Sequence, residues 1–154
     1  MQVLDVDWSD LELAFRDATG AQNYLDRESG EIMTVVQGFS DEEELKDLLK
    51  KNPERYVRVP SIDAAHARGV MARFIASLPA SPAKVKLTKT TTGAGALTRA
   101  LAILRDDDAL LQRYYRFEQA AFWRHVEEFL SASSISPKTP APSPELFEER
   151  ALGS

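Results

Sequence analysis

The chain has 154 residues, 44% hydrophobic and 28% charged, proportions that exclude wholesale disorder and leave room for one ordinary domain with a tail. Its 19 basic and 24 acidic residues give a formal net charge of −5, which argues against a strongly basic nucleic-acid coat. With no cysteine, a disulfide framework, a thiolate zinc site and a cysteine nucleophile are all excluded.

In chain order, Ser9 and Glu12 make a capping-box pattern ahead of Leu11, Ala14, Phe15 and Ala18, predicting a short amphipathic helix stopped by Gly20. Asn23–Asp26 and Glu31–Val36 read as two strands of a hairpin, with Arg27-Glu28-Ser29-Gly30 as the turn. Ser40 then caps a helix over Asp41–Lys51, whose acids lie at the start and lysines at the end, as the helix dipole favours. Its four consecutive carboxylates point in four directions around the axis and cannot converge on one metal ion. Arg55–Val59 alternates polar with apolar residues, the pattern of a half-buried strand. After Pro60, Ser61 is positioned to cap a helix whose Ala67, Val70, Met71, Phe74, Ile75 and Leu78 form a core-facing stripe.

Pro79 and Pro82 break that helix, and Lys84–Lys89 alternates charge with apolar groups as a flexible basic connector. Thr92-Gly93-Ala94-Gly95 leads into a second helical stripe, Leu97, Ala100, Leu101 and Leu104. Asp106-Asp107-Asp108 caps a last, aromatic-rich helix that runs to about Ala132. Beyond it, composition shifts to Ser, Pro, Thr and Ala, predicting a disordered tail over residues 132–154 with a possible short helix near 144–152.

Charge follows the same division. Residues 1–54 carry −9, residues 55–82 carry +3, residues 83–125 carry +4 and residues 126–154 carry −3. An acidic front and a basic middle attract one another within a fold or between neighbouring molecules; the plainer reading is two solvated faces. The N-terminus has neither the basic start nor the apolar run of a signal peptide, and every apolar stretch falls short of the about 20 residues that span a bilayer. A soluble cytoplasmic protein, not a membrane protein, is expected.

Three constellations carry candidate chemistry. Gly93 and Gly95 before a helix, with Lys84, Lys86, Lys89 and Arg99 around them, invite an anion or nucleic-acid reading. No lysine follows the second glycine and Thr98 replaces a third, so both nucleotide-binding glycine patterns fail. On the last helix, Glu118 and His125 fall within the apolar arc and are the weak candidates for acid–base catalysis, or else structural polar groups with partners elsewhere. Its opposite side holds Arg113, Arg116, Trp123 and Arg124, cations beside an aromatic expected to be exposed, the ingredients of a partner-binding surface. His66 reads as structural. Metal-binding and serine-hydrolase signatures are absent, and no cofactor is implied.

Several segments taken in order resemble an uncharacterised bacterial protein family of unknown function, numbered zero-one-five-eight. They are Tyr24-Leu25-Asp26-Arg27-Glu28-Ser29-Gly30-Glu31, Arg55-Tyr56-Val57-Arg58-Val59-Pro60, Met71 with Phe74, Gly95-Ala96-Leu97, Tyr114-Tyr115-Arg116-Phe117 and Phe129-Leu130, spanning about residues 5–131. Leu97, Tyr114 and Phe129 stand where the family usually has Phe, Trp and Trp, apolar changes that a core tolerates. The resemblance implies a small α+β domain in a bacterial cytosol and supplies no catalytic residues.

The expected architecture is one α+β domain over residues 1–131: a small antiparallel sheet, hairpin plus one further strand, packed with helices, then a helical C-terminal half. The leading function is a non-enzymatic interaction domain that binds a protein partner or itself. RNA or single-stranded DNA binding through the basic 84–124 region is the alternative, and an enzyme using Glu118 and His125 the third.

Overall fold

A computed structural model describes residues 1–142. The fold is mixed α and β, with the three-stranded antiparallel sheet and the helical C-terminal half read from the sequence. The chain divides into two compact units, Met1–Ile62 joined by His125–Pro142, and Asp63–Arg124.

The first unit begins with β1 (Gln2–Leu4) and α1 (Trp8–Phe15). The N-cap of α1 is Asp7, whose side chain accepts a hydrogen bond from the Asp10 N–H, so the cap lies two residues before the expected Ser9. Leu11, Ala14 and Phe15 are its buried residues. The hairpin follows as β2 (Gln22–Asp26) and β3 (Ile32–Val35), and β4 (Tyr56–Val59) pairs with the other edge of β2. Leu25, Val35 and Val59 are buried. Buried Asn23 is satisfied within the same face: its carbonyl accepts from Thr34 Oγ1 at 2.7 Å, and its amide donates to Asp17 Oδ2 at 3.0 Å. On the other face the register partners Tyr24 and Arg58 stack, the guanidinium 5.5 Å from the ring centre. The intervening α2 (Glu42–Lys51) has Asp41 as its N-cap, one residue after the expected Ser40.

Two short strands are absent from the sequence reading. β1 pairs in parallel with β5 (Ile135–Pro137), Gln2 opposite Ile135 and Leu4 opposite Pro137. Ile135 is fully buried, and Trp8 Nε1 donates to Thr139 Oγ1 at 3.1 Å. The ordered body therefore continues past 131, and the expectation of disorder from 132 is corrected: these residues recover their ordering entropy through a strand pairing and an apolar anchor. The short helix considered near 144–152 lies outside the described residues.

The second unit contains α3 (Ala64–Ser77), α4 (Pro82–Thr88), α5 (Ala96–Arg105) and the first part of α6 (Asp108–Ala132). Asp63, not Ser61, caps α3 by accepting from the His66 N–H at 2.8 Å. The supposed connector is α4: Ser81 Oγ accepts from the Lys84 N–H, and Pro82 occupies the first turn, where its missing N–H costs nothing. Met71, Phe74, Ile75, Leu78, Leu87, Ala100, Leu104 and Tyr114 form the core, and the Phe74 ring meets Tyr114 and Phe117 edge-on at 5.3 and 5.5 Å.

Candidate functional site

The long helix α6 carries most of the residues proposed from sequence, and its buried face turns along its length. At about 100° per residue, Leu110, Tyr114 and Phe117 lie about 40–100° round from Arg113. Phe122, Val126, Leu130 and Trp123 lie about 180–280° round from it, and all four are buried. Trp123 is only 7% exposed, so the exposed aromatic expected beside the arginines is not there. A single straight arc placed it outside because the apolar stripe shifts by more than about 100° between the two halves of the helix.

The arginines fare differently. Arg113 and Arg124 are exposed and fall within about 20° of one another, some 16 Å apart along the axis by helical rise. Among the described residues neither makes a side-chain hydrogen bond or an ion pair. Arg116, about 60° to the side, is half-buried.

Glu118 and His125 are each half-buried. His125 sets its ring edge-on to Phe15, 5.7 Å between centres, while Gln119 reaches the Glu118 carboxylate only at 3.4 Å. They stand seven positions apart on the helix, about 10 Å of rise. His66 is half-buried on α3. Among the described residues no group of histidines and carboxylates could hold a metal ion, and no helix is long and apolar enough to cross a membrane.

The basic residues around the start of α5 do not form one anion cradle. Arg99 turns back over the glycine loop, Nη1 donating to the Ala94 carbonyl at 2.6 Å and Nη2 to the Thr92 carbonyl at 2.8 Å. Gly95 takes φ +75° as the residue before α5, a conformation suited to glycine. Lys84 Nζ donates to the Leu78 carbonyl at 2.8 Å, satisfying an acceptor just past the end of α3. Lys86 and Lys89 remain exposed.

Sequence reasoning missed two features. One face of α4, Ser81, Lys84, Val85 and Thr88, lines an open apolar groove with Ala80 and Lys89, about 350 Å³ in volume. Val85 is 56% exposed there. The i, i+3, i+4, i+7 spacing after Ser81-Pro82 was the available signal. The other feature ties the hairpin to the start of β4, where Arg55 donates from Nε to Asp26 Oδ1 at 3.0 Å and from Nη2 to Oδ2 at 2.9 Å. Its Nη1 approaches Glu28 at 3.3 Å. These hydrogen bonds from Arg55 hold the Asp26 carboxyl down to about 2, and the same pairing raises Arg55. A shallow depression of about 450 Å³ beside them is lined by both charge signs, including Arg27, Glu28, Lys51 and Glu54.

Comparison with known proteins adds the family. A family model described as an uncharacterised protein family, UPF0158, matches residues 3–142. The chain belongs to that family. A UPF0158 protein of Pseudomonas aeruginosa is 25% identical over 135 residues, covering 87% of this chain and 85% of its own. No solved structure matches. The family match includes β5, which the sequence resemblance left out.

Proposed function

We propose that this member of UPF0158 is a non-enzymatic interaction domain whose exposed α6 line, Arg113 and Arg124 with Arg116 beside it, receives an acidic segment of a protein partner. One observation carries the reading: two exposed guanidinium groups on one helix line, neither paired with a carboxylate among the described residues of an acidic chain. An arginine fork is preorganised for bidentate carboxylate recognition, so leaving two of them open favours a partner over a merely solvated face. Because Lys84 and Arg99 are turned onto backbone carbonyls, the basic residues make a poorer phosphate track. A bacterial setting is part of this reading, supported by the Pseudomonas relative, and a cytosolic location is proposed with it.

The test compares the wild-type chain with Arg113→Glu/Arg124→Glu in nuclease-treated extract of the native organism and in purified form over a concentration series. The expected result is a bound protein, or self-association, that charge reversal abolishes and nuclease leaves intact. Binding that vanishes with nuclease would assign the surface to nucleic acid instead. Identical binding by both chains would remove the arginine line from the account.

A further inference from the structure

The α4 groove has a different chemistry from the arginine line. Its floor is apolar, with Val85 projecting into solvent and Ala80 and Thr88 beside it. Lys84 lines it with an aliphatic stem, since its ammonium is held at the Leu78 carbonyl. Lys89 stands at the rim and Lys86 is exposed on the same short helix. A fitting occupant presents one or two apolar side chains flanked by carboxylates. Residues 143–154 of this chain contain that pattern in Glu145-Leu146-Phe147-Glu148-Glu149.

We propose that the Glu145–Glu149 segment of the same chain occupies the α4 groove, Leu146 and Phe147 against Val85 and the carboxylates toward Lys86 and Lys89. Charge complementarity selects this occupant. Lys86 of α4 and Lys89 just after it have no acid between Ala64 and Arg105 to answer them, whereas three of the five residues in the segment are glutamates. Covalent attachment makes the encounter intramolecular, so a patch too small to hold a free peptide is filled by a tethered one. The groove is then closed to other segments of the same kind, and its exposed valine is covered.

The chain has no native cysteine, so engineered pairs report proximity directly. Thr88→Cys/Glu148→Cys leaves Val85, Leu146 and Phe147 in place. Leu13→Cys/Glu148→Cys is the control, Leu13 being 71% exposed on α1. Under mild oxidation at low protein concentration, the first pair is expected to form an intramolecular disulfide at least about tenfold faster than the control, as a raised effective concentration requires. Adding Val85→Glu should remove that advantage. Equal rates for the two pairs, or no effect of Val85→Glu, would overturn the proposal. A disulfide that is chiefly intermolecular would overturn it too and assign the groove to a second copy.

Discussion

Arg55, the residue just before β4, clamps Asp26 at the end of β2 through two near-parallel hydrogen bonds of 3.0 and 2.9 Å, locking the hairpin turn to the third strand. The Asp26 carboxylate also accepts from the Glu28 N–H at 2.9 Å, so one side chain orders both the turn and the strand pairing. Its carboxyl titrates at about 2 instead of 3.8. A lowered carboxylate pKa contributes stability above the unfolded value and loses it as pH falls through the folded one. Stability therefore declines between about pH 4 and pH 2, by about 1–2 kcal/mol once the partly exposed Arg55 is discounted for screening. Urea unfolding as a function of pH should show this step in the wild type and not in Asp26→Asn. A step of equal size in both would place its origin elsewhere.

Gly30 and Gly20 separate two reasons for needing glycine. Both have positive φ, +78° and +85°. A Cβ on Gly20 would meet nothing within 4 Å, whereas one on Gly30 would collide with the Asp5 carbonyl. Gly20→Ala should cost about 1 kcal/mol, the ordinary left-handed penalty. Gly30→Ala should cost at least twice as much, about 2–4 kcal/mol, because backbone must also move. Thermal unfolding of the two variants decides it; equal losses would mean that the Asp5 contact is readily relieved.

Trp123→Ala should behave as a core truncation. The residue is buried and sets its ring edge-on to Phe122, 4.8 Å between centres. A loss of about 3–5 kcal/mol is expected, whereas Arg113→Ala and Arg124→Ala should stay within about 0.5 kcal/mol of wild type. Denaturant midpoints report the difference. A Trp123→Ala chain of native stability would return this tryptophan to the surface.

Arg99→Ala should loosen the Thr92–Gly95 loop while leaving the fold intact. It removes the two hydrogen bonds to the Thr92 and Ala94 carbonyls, both exposed, for about 0.5–1.5 kcal/mol locally. Hydrogen exchange should quicken at the first turn of α5 and not in the sheet. Unchanged exchange there would show that the glycine backbone alone holds the loop.

The sheet was legible because its information is local. Residues 55–59 alternate with a period of two, and Gly30 marks a turn that only a residue tolerant of positive φ closes easily. Helix existence was legible too, but the caps were displaced: Asp7 and Asp63 do what was assigned to Ser9 and Ser61, and either residue type accepts an N–H three positions on. In α4, lysines at every second or third position imitated a strand-like connector and masked the Ser81-Pro82 start. Trp123 was misplaced because a helical wheel assumes one packing direction for the whole of α6. The pairing of β1 with β5 was invisible for a different reason. Three-residue strands 133 positions apart leave no local period to read.

That pairing also orders events in time. β1 is synthesised long before its partner: the strand that answers its hydrogen bonds includes Ile135, and the Lys138 N–H donates to the Leu4 carbonyl. Residues 63–124 are therefore synthesised, and free to fold as their own unit, while the first unit still waits with an unanswered edge. A nascent chain arrested between residues 124 and 135 is consequently a different molecule from the finished one: a whole helical insert attached to an N-terminal strand whose partner strand is not yet made.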